Sequence, residues 1–251
     1  MRKREFVGVS TAIGVICTII GWIAYCKGKS SGFMKGYMEA DKQRNFELLS
    51  LFDGISCGRL ALERAGLPVE QYDAFEIDHY AITVSKKNFP DIVHHGNVFD
   101  GDFQKFQGYD LLLGGSPCTY WSVAKQNRET TTDGMGFQLF MEYVRALKES
   151  QCRYFLYENN NSIHQNIKQE ISKRLGVEPI MINSALVSAQ NRKRWYWTNI
   201  PHVTQPEDQG VLLKDVIEDA IPWQDKSYCM TARYSGAVIS NTLERKQRTM
   251  L

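Results

Sequence analysis

Four short clusters of residues in this chain have the types and spacing that chemistry requires. In Gly114-Gly115-Ser116-Pro117-Cys118, a cysteine follows an apolar run and sits among loop-forming residues. A thiolate is a strong nucleophile, and a cysteine exposed on such a loop can react where a buried one is inert. Pro117 fixes the backbone just before it. Tyr157-Glu158-Asn159-Asn160 closes another apolar run with a carboxylate, which its surroundings can perturb and which otherwise reads as an ordinary strand-end acid. Gln190-Asn191-Arg192-Lys193-Arg194 places two arginines two apart, on one side if extended. They suit a base, a phosphate or the Glu158 carboxylate; the plainer alternative is a solvated charge run.

The fourth cluster is a glycine turn, Phe52-Asp53-Gly54-Ile55-Ser56-Cys57-Gly58, between a predicted strand and a predicted helix. Glycine lets a backbone approach a ligand closely, and the amides at a helix start favour a carboxylate or phosphate. Glu76, followed by Asp78, ends the next apolar run at a spacing suited to ribose hydroxyls. The spacing fits NAD or S-adenosylmethionine (AdoMet), and the lack of G-x-G-x-x-G disfavours NAD.

The elements that must position these residues alternate along the chain. Strands are predicted over 46–52, 72–77, 92–98, 109–115, 153–159 and 179–187, and helices over 58–66, 79–89, 137–150 and 163–176. This alternation implies an α/β fold with a doubly wound, mostly parallel sheet. Such sheets bind ligands at the carboxyl ends of their strands, where all four clusters fall.

Of the 251 residues, 43% are hydrophobic and 23% charged, which excludes a disordered or collagen-like chain. Six cysteines are too sparse for a disulfide scaffold, and without a C-x-x-C or H-x-x-x-H pair no metal site is expected. The net charge of +2 divides into +5 over residues 1–45 and −3 over the remainder. That balance excludes a uniformly basic nucleic-acid coat but leaves room for a local basic groove.

Residues 1–26 form a basic start followed by an uncharged run of 21 residues from Phe6 to Cys26. As a helix that run would span roughly 30 Å, the thickness of a bilayer core, with Trp22 and Tyr25 near one interface. A transmembrane helix is therefore expected ahead of the α/β fold, against a buried helix or a signal peptide as alternatives. It would make the chain a single-pass membrane protein whose main domain faces the cytoplasm; without it the chain would be cytoplasmic. Residues 27–45 are rich in Gly, Ser and Lys and are expected to form a flexible basic linker.

Taken together in their order, the motifs over 46–200 resemble the C5-cytosine DNA methyltransferase family. FDGISCG is similar to its first AdoMet motif and GGSPC to the Pro-Cys motif bearing the nucleophile. YENN is close to its Glu-Asn-Val motif, with Asn160 in place of valine, and QNRKR matches its Gln-x-Arg-x-Arg pattern. The resemblance implies AdoMet as cofactor and, as partner, DNA with a cytosine in a short recognition sequence. It implies catalytic roles for Cys118, Glu158, Arg192 and Arg194. Cofactor contacts carry over to Phe52, Asp53 and Gly54, to Glu76 on the ribose, to Ile77 against the adenine, and to Pro117. Gly96-Asn97-Val98 stands where the family has Gly-Asp, so Asn97 would meet the adenine amino group through its amide oxygen and Val98 would lie beside it.

Two departures accompany the resemblance. Residues 201–251 contain neither the Arg-x-Leu-Thr-type nor the Gly-Asn-x-Val-type segment, and are expected to be a partial, truncated region whose missing part a separate chain could supply. The membrane-like start has no counterpart in the family. A tRNA cytosine-5 methyltransferase and a non-catalytic, membrane-tethered AdoMet- or DNA-binding protein are the competing expectations.

Overall fold

The computed structural model describes residues 46–229, except 66 and 124, together with residue 249. Among the described residues, seven strands run in the order β3-β2-β1-β4-β5-β7-β6. They are β1 (Phe46–Leu51), β2 (Val69–Phe75), β3 (Val93–His94), β4 (Leu111–Gly114), β5 (Tyr154–Asn160), β6 (Ile180–Asn183) and β7 (Lys193–Thr198). Among the described residues, four helices connect or cover them: α1 (Cys57–Arg64), α2 (His79–Asn88), α3 (Met135–Ser150) and α4 (Gln165–Leu175).

Side chains alternate across a strand, and here the alternation sorts the core into two layers. On one face lie Leu49, Leu51, Leu112, Phe155, Tyr157 and Trp197, against Phe140 and Tyr143 of α3 and Ile167 and Ile171 of α4. The other face carries Leu48, Leu111, Leu113, Leu156 and Tyr196, against Ala61 and Leu62 of α1. Strands apolar on both faces are what a sheet covered by helices demands.

The sheet is mixed. The pairings β1–β2, β1–β4, β2–β3 and β4–β5 are parallel. β7 was not among the predicted strands; it inserts between β5 and β6, antiparallel to both. The predicted strand over 92–98 shrinks to Val93–His94, and the one over 179–187 ends at Asn183, where a short 3₁₀ turn (Ser184–Leu186) takes over.

The expected fold class, an α/β sheet preceded by a transmembrane helix, needs correction. Among the described residues no helix is long and apolar enough to cross a membrane. The longest, α3, has 16 residues and carries Glu142, Arg145, Lys148 and Glu149; its length falls short of the roughly 20 residues a bilayer core requires. The run over 6–26 and the linker over 27–45 lie outside the described residues.

Candidate active site

β1 delivers its turn with an unusual backbone. Phe52, Gly54 and Ser56 take positive φ values of 58°, 62° and 62°. Only glycine does so without steric cost, and at Gly54 no atom lies within 4 Å of where a side chain would begin. The turn is held from inside by Asp53. Its Oδ1 accepts hydrogen bonds from the Ser50 hydroxyl (2.6 Å) and the Tyr72 hydroxyl (2.6 Å), and its Oδ2 from the Ser56 hydroxyl (2.5 Å). Burial raises the Asp53 pKa above the usual carboxylate range, opposed in part by the hydroxyls of Ser50, Ser56 and Tyr72. The network continues from Ser56 Oγ to Ser85 Oγ (2.5 Å) and on to His94 Nε2 (3.1 Å), whose pKa burial lowers.

Glu76, just past β2, closes the turn from outside. Its Oε2 accepts the Gly54 N–H (2.7 Å), and its Oε1 accepts those of Ile77 (2.8 Å) and Asp78 (2.9 Å). Three amide donors hold the carboxylate in one orientation and leave it further acceptor capacity. Asp78 instead caps α2, accepting from the amides of Tyr80 and Ala81. Ile77 is 74% exposed and Phe99 46% exposed. Asn97 uses its amide oxygen to cap the 3₁₀ turn that follows, accepting the Phe99 N–H at 3.1 Å. Val98 is buried in the core layer with Leu51 and Phe75.

β4 delivers the second half. Pro117 and Cys118 are exposed, and Cys118 opens a 3₁₀ turn that runs to Tyr120. Glu158 lies on the neighbouring β5. A side chain on Gly115 would meet the Glu158 carbonyl oxygen at 2.7 Å and its Oε2 at 3.1 Å, so glycine is what lets this loop lie against the carboxylate. Glu158 Oε1 stands 2.6 Å from Arg194 Nε, with both side chains mostly buried. Antiparallel pairing of β5 with β7 sets Arg194 opposite Asn160, a diagonal neighbour of Glu158. Arg192, by contrast, precedes β7. Its amide donates to Asn183 Oδ1 (2.9 Å) and its Nη1 lies 3.2 Å from Cys229 Sγ. The structure thus brings Arg194, and not Arg192, to Glu158.

Several residues of the site were not singled out from the sequence. Asn159 is fully buried; its Nδ2 donates to the Ser116 carbonyl (3.2 Å) and to the Tyr157 hydroxyl (3.3 Å), which in turn shares a 2.7 Å hydrogen bond with Ser116 Oγ. These bonds tie the cysteine loop to the end of β5. The available signal was polar residues placed in and beside apolar runs, because buried polar groups must find partners.

The match to a family model covers residues 46–249 and is described as C-5 cytosine-specific DNA methylase. The chain therefore belongs to the C-5 cytosine-specific DNA methylase family. Among similar proteins is the orphan methyltransferase M.Rho11sI of Bacillus phage rho11s, 33% identical over 181 residues, covering 66% of this chain and 35% of that protein. The orphan methyltransferase M.SPRI of Bacillus phage SPR is 34% identical over 163 residues, covering 59% and 36%. The type II methyltransferase M1.ScrFI of Lactococcus lactis subsp. cremoris is 30% identical over 168 residues, covering 63% and 42%. The aligned part spans a little over a third of the length of these relatives.

Proposed function

We propose that this chain carries the cofactor-binding and nucleophilic machinery of an AdoMet-dependent DNA (cytosine-5) methyltransferase. One observation carries the reading. An exposed cysteine, a carboxylate paired with an arginine, and a glycine turn anchored on a second carboxylate all stand at the carboxyl ends of the neighbouring parallel strands β2, β1, β4 and β5.

The residues present fit AdoMet. The open space at Gly54 admits a ligand close to the backbone, and the Glu76 carboxylate keeps acceptor capacity for ribose hydroxyls. Exposed Ile77 offers an apolar face for adenine, with Phe99 nearby in sequence to Asn97. Phe52 begins this turn and Pro117 directly precedes the cysteine, so both are proposed to line the cofactor. Asp53 acts from within, because its two oxygens are already taken. When bound, AdoMet supplies an electrophilic methyl group.

In the proposed reaction, Cys118 Sγ, as the thiolate, forms a bond to C6 of a cytosine turned out of the helix. Glu158 holds the N3 and exocyclic-amine edge of the base, which favours moving the electron pair toward C5. Arg194 keeps the Glu158 carboxylate oriented. The activated C5 would take the methyl group as its bond to the cofactor sulfur breaks, leaving S-adenosylhomocysteine; loss of the C5 proton to solvent and departure of the thiolate would restore the aromatic ring. The phage and bacterial relatives make modification of a short DNA recognition sequence the proposed setting.

The test is denaturant-resistant trapping of the full chain on DNA containing 5-fluorocytosine, with AdoMet present. Fluorine at C5 cannot leave as the proton does, so the covalent adduct persists. The wild-type chain is expected to form the adduct at Cys118, and Cys118→Ser to reduce it to background, since a hydroxyl is a far weaker nucleophile. An adduct formed by the serine variant, or mapped to Cys57, overturns the assignment. Trapping on tRNA and not on DNA would move the substrate to RNA.

A further inference from the structure

Cys118 is exposed, so burial does not hold it in place. Its turn is three residues long and has no side-chain cap. What fixes it is a set of hydrogen bonds converging on its own carbonyl oxygen. The amides of Trp121 (3.1 Å) and Ser122 (2.9 Å) donate to it from within the turn. A third donor comes from another strand: Nδ2 of Asn160, the last residue of β5, at 3.2 Å.

Asn160 is well placed for this task. It is 6% exposed, and its backbone N–H donates to Asn159 Oδ1 at 2.8 Å. A carbonyl oxygen can only accept, so the amide nitrogen must face Cys118 and the amide oxygen must face away. There Oδ1 accepts the Ser162 hydroxyl at 3.0 Å. A second tie runs beside it. Arg128 Nη1 donates to the Ser162 carbonyl oxygen and reaches the Trp121 carbonyl oxygen at 3.5 Å. Cys118 and Arg128 are thus fastened to the end of β5 and to the turn after it at two points, through Asn160 and through Ser162.

We propose that Asn160, assisted by Arg128, is a positioning residue for the Cys118 nucleophile. The clasp sets the backbone of the cysteine turn against the strand that carries Glu158, so thiol and carboxylate keep one mutual geometry while the thiol stays open to substrate. Valine, the residue that the family pattern places here, has no donor for the Cys118 carbonyl. The inference rests on the methyltransferase reading for its consequence in catalysis, while the clasp itself can be read without any reaction.

The experiment uses the full chain and the variants Asn160→Val, Asn160→Asp and Arg128→Met, each checked for native circular dichroism. Amide hydrogen exchange of the peptide spanning 117–123 reads the clasp. Adduct formation on 5-fluorocytosine DNA with AdoMet reads positioning. Asn160→Val is expected to speed exchange at the Trp121 and Ser122 amides by about 3- to 10-fold, the worth of one net hydrogen bond. Asn160→Asp should speed it more, because a carboxylate oxygen would face a carbonyl oxygen. Arg128→Met should act in the same direction. The adduct rate at saturating DNA should fall about 10-fold in Asn160→Val, with the half-saturating DNA concentration unchanged, as loss of alignment rather than of binding requires. Unchanged exchange in all three variants overturns the clasp. Faster exchange with an unchanged adduct rate overturns the positioning role. If the wild-type chain forms no adduct, the methyltransferase reading fails by itself and exchange alone decides the clasp.

Discussion

The turn after β1 and the loop after β4 leave adjacent parallel strands of one sheet, yet they are held by opposite means. Around the first, a buried carboxylate gathers three hydroxyls, and the backbone is bent into three left-handed residues. Around the second, neutral amides of Asn159 and Asn160 hold carbonyl oxygens, and the thiol itself stays in solvent. The difference follows from the work proposed for each. A cofactor turn needs a fixed backbone shape, which an internal network supplies. A nucleophile needs access, so only its backbone can be restrained.

If that contrast holds, damage to the first network should appear as lost stability, and damage to the second as lost alignment. Asp53→Ala is the severest test. It leaves the hydroxyls of Ser50, Ser56 and Tyr72 without their acceptor in a buried space. The expected loss is about 3–5 kcal/mol in urea unfolding, at roughly 1–3 kcal/mol for each orphaned group and with some of them finding new partners. Asn160→Ala should cost only about 1 kcal/mol by the same measure. Equal losses for the two variants would erase the contrast.

Glu76→Ala separates the shape of the cofactor turn from its binding role. The carboxylate reaches the turn from outside the core through the Gly54 amide, while the amides of Ile77 and Asp78 orient it. AdoMet affinity measured by calorimetry should weaken by about 1.5–3 kcal/mol, the range for a hydrogen bond to a charged group. Asp78→Ala should weaken it less, because that side chain caps α2. No change for Glu76→Ala would transfer the ribose contact to another group.

A further modest effect contrasts two thiols, one exposed and one buried. Burial pushes the Cys152 thiol up from its ordinary 9.0 to about 11, opposed in part by the Ser150 hydroxyl. The folded state therefore keeps the Cys152 proton to higher pH than the unfolded state does. The stability this contributes is complete below about pH 9 and is lost as the pH rises through 11. Between pH 8 and pH 10, the wild type should lose about 1–1.5 kcal/mol more stability than Cys152→Ala, from the separation of the two pKa values. Over the same range, iodoacetamide should label Cys118 well before Cys152. Early labelling of Cys152 would show that its side of the core opens readily.

Much of the positioning frame was legible along the chain. Short continuous apolar runs predicted β1, β2, β4 and β5, because burial on both faces leaves few polar positions, and helical spacing predicted α1 to α4, because burial on one face leaves a period that local sequence records. The cysteine loop and the Glu76 turn could be placed at strand ends for the same reason. β7 was hidden behind its charged start, Lys193-Arg194, and its direction depends on pairing with β5, which no local pattern encodes.

The residues of this chain by themselves marked the candidate groups: a cysteine in a Gly-Ser-Pro loop, a strand-end carboxylate, two arginines and a glycine turn. They also determined the family, since those motifs stand in order within residues 46–249. Only the tertiary structure decided what each group faces. It turned Asp53 and Val98 inward, joined Arg194 rather than Arg192 to Glu158, and set Asn160 against the carbonyl of Cys118 across 42 positions of sequence. The physical reason is that periodicity reports how deeply one element is buried. Hydrogen-bond partners are chosen by sheet register and strand order, which arise only when distant segments pair.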